Sequence, residues 1–376
     1  MLNEWGVEVG TRVTSENHPE NRSAAPTTFG RDHLEAYLSL VLDVPVEVKS
    51  ISPLKERGPV RIDYEVGGVR RTAILELRNL DVVGPEYRPV HGQDLVRSPK
   101  ALRPIPRHAR TLGVAGIEVA GGFVPVDGAK AQYVLTEYAE GHAYGEDLVR
   151  LKLGGLPTRR DRDRAEALAE QLAEIHQQPG PDPRLYVQRI RELLGQADGI
   201  MGLLDSFPPQ EGLLIPELLE HLEHRCLKWR WRLKGRTDRL RRVHGEFHPW
   251  NILFREGTEY TILDRSRIAW GEPADDAACL TMNYLVCALQ TQGESRESLF
   301  DLFHRFWSRY LEKSGDTGIL DVAAPFLVRH ALALVSPVWH PELKATVRRS
   351  LFSFMFRVLE APSFDPDRVE KLLRDD

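Results

Sequence analysis

Hydrophobic and polar positions follow two different periods along this chain, and the period changes near residue 140. Before that point apolar and polar residues alternate in short runs separated by turn residues, which predicts strands. Beyond it apolar residues recur every three or four positions, as in Asp163–Gln177, which predicts amphipathic helices. Strands that come first and helices that come later predict an α+β fold with two lobes, not an alternating parallel sheet.

The predicted strands share β-branched residues and flanking turn signals, and they are Val46–Ile51, Val60–Val66, Val69–Leu77, Gly122–Val126 and Ala131–Tyr138. Gly67-Gly68 and Asp127-Gly128 predict hairpin turns, so we expect one five-stranded antiparallel sheet. The predicted helices are Arg31–Leu42 with Thr28 as its cap, an interrupted helix over 101–112, Asp163–Gln177, Pro183–Ala197, Pro216–Arg232, Ala274–Thr291, Arg296–Lys313, Val322–Val335, Pro341–Leu359 and Asp365–Leu373.

This pattern divides the chain into three predicted parts. Residues 1–26 are polar and without periodicity, so we expect a mobile arm. Residues 27–135 form the predicted N-terminal sheet lobe, and residues 136–376 form the predicted C-terminal helical lobe. A length of 376 residues suits two lobes better than one small domain.

Composition narrows the class of protein. The net charge of −5 argues against uniform binding along nucleic acid. Three cysteines without a C-x-x-C pair favour a reducing compartment over a disulfide framework. The chain has no apolar run of 18 residues and no signal-peptide core at its start, so we expect a soluble, cytoplasmic protein with no membrane span.

The most informative segment is His244-Gly245-Glu246-Phe247-His248-Pro249-Trp250-Asn251. It is followed by the apolar runs Ile252–Phe254 and Tyr260–Leu263, and the second run ends at Asp264. We expect these runs to form a β-hairpin, with Asn251 and Asp264 at one edge. An acid, four residues, an Asn and then an acid at a strand end is a phosphoryl-transfer pattern. Glu246 is the candidate for the acid that hydrogen-bonds to a substrate hydroxyl, and Asn251 and Asp264 are candidate Mg²⁺ ligands.

A zinc hydrolase or deaminase built on His244, Glu246 and His248 is the competing interpretation. The deaminase signature needs a later P-C-x-x-C, which the chain lacks. The zincin motif needs a helix, which Gly245 and Pro249 oppose. His244 is expected to shape the loop by donating to a carbonyl or to Asp264.

The segment Val243–Leu253 resembles the catalytic loop of the aminoglycoside phosphotransferase family, small-molecule kinases with the protein-kinase fold. Gly271-Glu272-Pro273-Ala274-Asp275-Asp276 is similar to the family segment that follows the metal-binding acid. The resemblance implies ATP and Mg²⁺ as cofactors and a hydroxyl-bearing small molecule as acceptor. It implies that Glu246 is catalytic, that Asn251 and Asp264 bind metal, and that Glu137 and Tyr138 form a hinge that offers main-chain groups to adenine.

This sequence departs from the family pattern at two points. Glu246 replaces the usual Asp and is longer by one C–C bond of about 1.5 Å. The phosphate-binding Lys of the third strand has no counterpart, and Arg78 is the candidate substitute, with Lys55 in the preceding turn as a further cation. These departures keep a second hypothesis open, which is a catalytically impaired kinase-like protein that binds nucleotide or a partner.

Three acids follow the metal-binding position, Glu272, Asp275 and Asp276. We expect them to support the catalytic loop, with Asp275 as the cap of the next helix, although contact with a cationic acceptor is an alternative. Residues 180–240 and the segment after Pro273 are expected to line the acceptor pocket. The sequence leaves the acceptor open among aminoglycosides, sugars, choline-like alcohols and homoserine-like amino acids, and it does not indicate the oligomeric state.

Overall fold

The computed structural model describes residues 30–54, 59–79, 105–117, 123–124, 131–196, 199–207, 215–264 and 269–374. The strands are β1 (Glu47–Pro53), β2 (Val60–Val66), β3 (Val69–Asn79), β4 (Thr111–Ile117), β5 (Phe123–Val124), β6 (Ala131–Glu137), β7 (His142–Ala143), β8 (Arg241–Arg242), β9 (Ile252–Phe254), β10 (Tyr260–Ile262) and β11 (Trp270–Gly271). The helices are α1 (Arg31–Leu42), α2 (Tyr144–Lys152), α3 (Arg159–Ile175), α4 (Pro183–Gly195), α5 (Ile200–Asp205), α6 (Pro216–Leu233), α7 (Pro273–Leu289), α8 (Gly293–Ser314), α9 (Ala324–Val335), α10 (Ala345–Glu360) and α11 (Val369–Leu372).

The main sheet has six described strands in the order β1–β2–β3–β6–β4–β5, and its pairs are antiparallel. The predicted five-stranded sheet is therefore wrong in strand number and in one pairing. β5 pairs with β4, and β6 lies between β3 and β4, so β5 and β6 do not form the expected hairpin. Seven residue pairs join β3 to β6, from Ala73–Glu137 to Asn79–Ala131, and this long central ladder outweighs a local turn signal.

The helix predicted over 101–112 is also wrong in its described part. Residues 105–110 form a turn, and β4 begins at Thr111. Pro106 cannot donate a helical N–H, and Arg107 has a φ of +62°, which no α-helix accommodates. Residues 101–104 lie outside the described residues.

The core of the N-terminal sheet forms against α1. Leu34, Tyr37 and Leu38 point from one helix face onto the alternating inward residues of the sheet, as the predicted 3.6-residue and two-residue periods require. The helix begins at Arg31 with Gly30 at the N-cap position and no side-chain cap. The predicted cap Thr28 lies outside the described residues.

The helical part is built around α7, which is buried along most of its length and packs against α8 and α9. Most predicted helices are present with ends shifted by a few residues. Asp365–Leu373 is instead a 3₁₀ turn followed by the short α11, and α2 and α5 were not predicted. α3 begins with a capping box, in which Thr158 and Asp161 exchange side-chain and main-chain hydrogen bonds.

A second described sheet has the order β10–β9–β7, and a third pairs β11 with β8. The chain divides into two compact units, Met1–His142 with Tyr260–Asp264, and Ala143–Glu259 with Arg265–Asp376. Within the described ranges, no helix has the length and apolar character needed to cross a bilayer.

Candidate active site

The candidate catalytic loop, residues 243–251, leaves β8 and ends in a short 3₁₀ turn, Pro249–Asn251. Its start is fixed by the ladder between β8 and β11 and by Val243 N–H, which donates to the Ala269 carbonyl at 3.1 Å. Gly245 has a φ of +90°, a conformation that a side chain would strain. The glycine therefore lets the loop turn directly before Glu246.

Asp276, in the first turn of α7, binds the main chain of this loop. Its Oδ2 accepts the His244 N–H at 2.6 Å, and its Oδ1 accepts the Gly245 N–H at 2.8 Å. The residue is only 1% exposed, so these charge-assisted bonds lie away from water. The prediction that this acid supports the catalytic loop is confirmed.

Glu246 and Asn251 are joined through the main chain of the loop. The Asn251 side-chain Nδ2 donates to the Glu246 carbonyl at 3.0 Å, and the His248 N–H donates to the same carbonyl at 2.9 Å. Glu246 is 7% exposed and Asn251 is 4% exposed. Since the amide nitrogen is used in this bond, the carbonyl oxygen Oδ1 is the Asn251 atom suited to act as a ligand.

The two loop histidines differ in burial and in their contacts. His244 is fully buried, packs edge-to-face against Phe247 and accepts the Glu246 N–H at its Nδ1, 3.3 Å away. This bond shapes the loop as predicted, and the donor role expected of His244 stays a prediction. His248 is partly exposed, and its Nε2 lies 4.0 Å from Glu246 Oε2.

Asp264 comes two residues after β10 and has a φ of +51°. A non-glycine residue rarely adopts this left-handed conformation, and such residues cluster at functional sites. The sequence pattern gave the position of this acid at a strand end but could not show its backbone conformation.

Glu272, the N-cap residue of α7, belongs to a buried ion-pair network. Its carboxylate accepts two hydrogen bonds from Arg239, at 2.9 and 2.7 Å, and one from the Tyr186 hydroxyl at 2.9 Å. Arg239 also donates to Asp316 at 2.9 and 2.8 Å. Burial raises the pKa of the Glu272 carboxyl, and the Arg239 hydrogen bonds oppose that shift. Because Arg239 precedes β8, the network fixes the entry to the catalytic loop.

The prediction that Asp275 caps α7 is wrong, because Glu272 occupies the N-cap position and no side chain caps the helix. The Asp275 carboxylate instead bonds to His330 Nε2, on α9, at 2.8 Å. Burial lowers the pKa of His330, and the nearby Arg329 charge lowers it further.

His176 is a supporting residue that the sequence reasoning missed. Its Nε2 lies 3.2 Å from Asp276 Oδ2 and its Nδ1 lies 2.9 Å from the Tyr310 hydroxyl, with all three side chains buried. A polar residue directly after the apolar stripe of α3 was the available signal. His330, in the middle of the apolar run of α9, carried a similar signal.

The hinge residues Glu137 and Tyr138 lie at the end of β6. The Glu137 N–H donates to the Arg110 carbonyl at 2.9 Å, and the Tyr138 N–H donates to the Thr72 carbonyl at 3.2 Å. Both hinge donors are therefore used within the sheet. The Tyr138 ring is 40% exposed and lies 5.0 Å from the Arg61 guanidinium.

The structure describes the main chain of one of the two candidate phosphate-binding cations. Arg78 lies on β3, where its main chain pairs with Gln132, but its side chain is outside what the structure describes. Lys55 lies outside the described residues altogether.

A small antiparallel sheet followed by a larger helical part, with an acid and an Asn held together in a buried loop, defines the kinase-like class of phosphotransferases. Residues 87–307, more than half of the chain, match the family model for the phosphotransferase enzyme family APH. The chain therefore belongs to that family and is a phosphotransferase of the small-molecule kinase class.

One similar solved structure supports this fold. An amicoumacin kinase in complex with AMP-PNP, Ca²⁺ and Ami is similar at 16% identity and a TM-score of 0.51, over 85% of this chain and 91% of that one. Two further similar structures are an aminoglycoside phosphotransferase APH(4)-Ia (13% identity, TM-score 0.48, 92% and 99% covered) and a putative aminoglycoside phosphotransferase from Ralstonia eutropha JMP134 (14% identity, TM-score 0.47, 92% and 99% covered). The first similarity shows the protein-kinase-like fold. No curated protein sequence matches the chain.

Proposed function

We propose that this protein transfers the γ-phosphoryl group of ATP to a hydroxyl group of a small molecule and that it requires Mg²⁺. Family membership supports the small-molecule phosphotransferase class. The observation that carries the finer proposal is the loop itself, where the Asn251 side chain donates to the Glu246 carbonyl in a buried setting. Catalysis in such a site depends mainly on positioning and charge neutralisation.

Glu246 is the proposed catalytic acid–base residue. A bond forms between the acceptor oxygen and the γ-phosphorus, the bond between that phosphorus and the β,γ-bridging oxygen breaks, and ADP leaves. The acceptor hydroxyl proton passes to the Glu246 carboxylate. The short loop between Gly245 and Asn251 orients this carboxylate, and Asp276 limits the movement of the main chain before it.

Asn251 Oδ1 and the Asp264 carboxylate are the proposed Mg²⁺ ligands. They are hard oxygen donors, one neutral and one anionic, and this donor set fits Mg²⁺ bound to phosphates. The Asn251 hydrogen bond to the loop carbonyl supports the assignment because it fixes which end of the amide can act as a ligand. When bound, the ion would neutralise charge on the triphosphate.

The nucleotide is assigned to the hinge and the N-terminal sheet. Since the Glu137 and Tyr138 N–H groups donate within the sheet, we expect their carbonyl groups to accept from the adenine amino group. Arg78 is the proposed phosphate-binding cation on β3, with Lys55 as a second candidate. The acceptor is assigned to residues 180–240 and to the segment after Pro273.

The competing hypothesis is a catalytically impaired kinase-like protein, and the Glu at position 246 is the observation that favours it. Misplacement of a reacting group by about 1 Å can lower a rate by roughly 10²-fold. Replacing Glu246 with Asp distinguishes the two hypotheses. If the loop has adapted to Glu, the Asp variant is slower, but if the natural chain is impaired, the Asp variant is markedly faster.

The proposed function is tested by measuring ADP production with Mg·ATP and a panel of hydroxyl compounds that contains kanamycin, glucosamine, glucose, choline and homoserine. We expect turnover with at least one compound, a product that carries one added phosphoryl group, and loss of turnover in Glu246→Gln. A rise in melting temperature with Mg·ATP but no turnover across the panel would favour the binding-protein hypothesis. No response to Mg·ATP at all would contradict the phosphotransferase and any nucleotide-binding role, and would favour a protein that keeps only the fold.

A further inference from the structure

We propose that His330 is a positioning residue for the catalytic loop, which acts by fixing the first turn of α7 through Asp275. This inference rests on the proposed function, because it concerns the loop that carries Glu246. His330 lies on α9, beyond residue 307, where the match to the family model ends. The proposal therefore assigns a role in the phosphotransfer site to a helix outside the matched segment.

The first link joins the loop to α7. Asp276 accepts the N–H groups of His244 and Gly245, the two residues directly before Glu246. A shift of the first turn of α7 would therefore move the main chain at the base of the catalytic side chain. Because both bonds end on one buried carboxylate, the loop either moves with the turn or loses these bonds.

The second link joins the same turn to α9. Asp275, the neighbour of Asp276, bonds to His330 Nε2 at 2.8 Å. The Asp275 side chain is 22% exposed, against 1% for Asp276, so the two consecutive carboxylates differ in environment as well as in partner. One binds the catalytic loop and the other binds α9, and together they fix the turn from two sides.

The hydrogen bond to Asp275 defines the tautomer of the His330 ring. A carboxylate can only accept, so Nε2 carries the proton and donates it to Asp275. Arg329 Nη1 lies 3.2 Å from His330 Nδ1 and 3.3 Å from Nε2, so this guanidinium does not select between the two ring nitrogens. Burial and the Arg329 charge lower the pKa of His330, in agreement with a neutral ring. A neutral ring with one defined donor gives the turn a single orientation.

The electrostatic surroundings agree with this geometry. The Glu246 charge acts on His330 and on the buried thiol of Cys279, which lies one turn after Asp275 on α7. His330, Cys279 and Glu246 are all buried, and the first two lie close enough to Glu246 for its charge to act on them. In such a setting, a displacement of the first turn of α7 changes both the position of the Glu246 carboxylate and the charges around it.

The test combines hydrogen exchange with steady-state kinetics on the full chain. His330→Leu removes the bond to Asp275, and His330→Gln keeps a donor. Leu332→Ala, on the same helix, is the control because it opens a cavity in the buried core without touching Asp275. Should His330→Leu not fold, Asp275→Ala breaks the same link from the other side.

In His330→Leu we expect the amides of residues 243–251 to exchange about tenfold faster than in the parent. We also expect kcat with the best panel compound to fall about tenfold, with the KM for ATP unchanged within about twofold. His330→Gln should restore both values towards the parent. Leu332→Ala should lower the melting temperature without a selective change in the loop.

The inference is overturned if exchange in residues 243–251 is unchanged in His330→Leu, or if Leu332→Ala at a comparable melting temperature accelerates it equally. It is also overturned if His330→Gln behaves like His330→Leu. The exchange measurement does not need turnover. A parent protein that phosphorylates no panel compound would therefore contradict the proposed function, while the exchange data still decide whether His330 positions the loop.

Discussion

The catalytic loop and the hinge are held in place by different kinds of bonds. Buried side chains hold the loop, because Asp276 binds its main chain and Asn251 binds the Glu246 carbonyl. The hinge is held by main-chain hydrogen bonds of a sheet, through Glu137 and Tyr138. A sheet edge positions main-chain groups whatever its side chains are, whereas the loop depends on individual residues. Substitutions should therefore be costly in the loop and its support, and mild in the hinge.

The largest expected effect concerns the metal. Asp264 is the only anionic ligand that we propose for Mg²⁺, so Asp264→Ala should abolish Mg²⁺-dependent nucleotide binding. Isothermal titration with the nonhydrolysable analogue AMP-PNP, with and without Mg²⁺, measures this directly, and the melting temperature of the apoprotein serves as the folding control. Unchanged Mg²⁺-dependent affinity in the variant would show that the metal ligand is assigned wrongly.

The next effect concerns the entry to the loop. Arg239→Leu leaves the buried Glu272 carboxylate without its cation, and loss of one partner of a buried ion pair costs about 3–5 kcal/mol. Urea denaturation should show this loss in the free energy of unfolding. The matched control is Arg309→Leu on α8, whose ion pairs with Glu170 and Glu312 are solvent-accessible and should contribute far less to the free energy of unfolding. Equal losses in the two variants would contradict a special role for the buried network.

A smaller loss is expected at Asp276. In Asp276→Asn the side-chain NH₂ group faces one of the two main-chain N–H groups that the carboxylate accepts in the parent, so that hydrogen bond is lost. The free energy of unfolding should therefore fall by about 2–3 kcal/mol. The melting temperature should fall while the affinity for the acceptor, measured on the folded protein, stays the same. The opposite result, weaker binding of an amine-bearing acceptor at unchanged stability, would move Asp276 from loop support to substrate recognition.

The smallest effect is expected at the hinge. Tyr138→Ala removes an exposed ring and its contact with Arg61, which is worth less than about 1 kcal/mol at an exposed site. Nucleotide affinity should change little, because the proposed adenine contacts are main-chain groups. A loss of ATP affinity by tenfold or more would show that the ring itself contacts the nucleotide, and the contrast between loop and hinge would then weaken.

The elements that the sequence predicted well are those with a strong local period. The apolar stripe of α3 and the alternation of β2 and β3 are local properties, and the structure confirms all three elements. The position of β5 is different, because β4 occupies the edge that β6 leaves open after it pairs with β3, and β5 pairs with the other edge of β4. That choice depends on long-range packing, and no local turn signal encodes it.

The candidate site shows the same division. The spacing along the chain was enough to predict the positions of Glu246 and Asn251, and closeness in sequence was enough to predict the group of acids on α7. The hydrogen-bond partners of these acids could not be predicted in this way, because the bond between Asp275 and His330 joins residues 55 positions apart. The local capping argument for Asp275 failed because it could not include this distant competitor for the same carboxylate.

The central claim is that Glu246 acts as the base of a phosphotransfer reaction, and the ADP production rate of Glu246→Gln tests it most directly. The variant keeps the size of the side chain and removes its charge. We predict a rate at least about 10²-fold below the parent, with the same melting temperature and the same ATP affinity. A variant that forms ADP and phosphorylated acceptor as fast as the parent would contradict the claim.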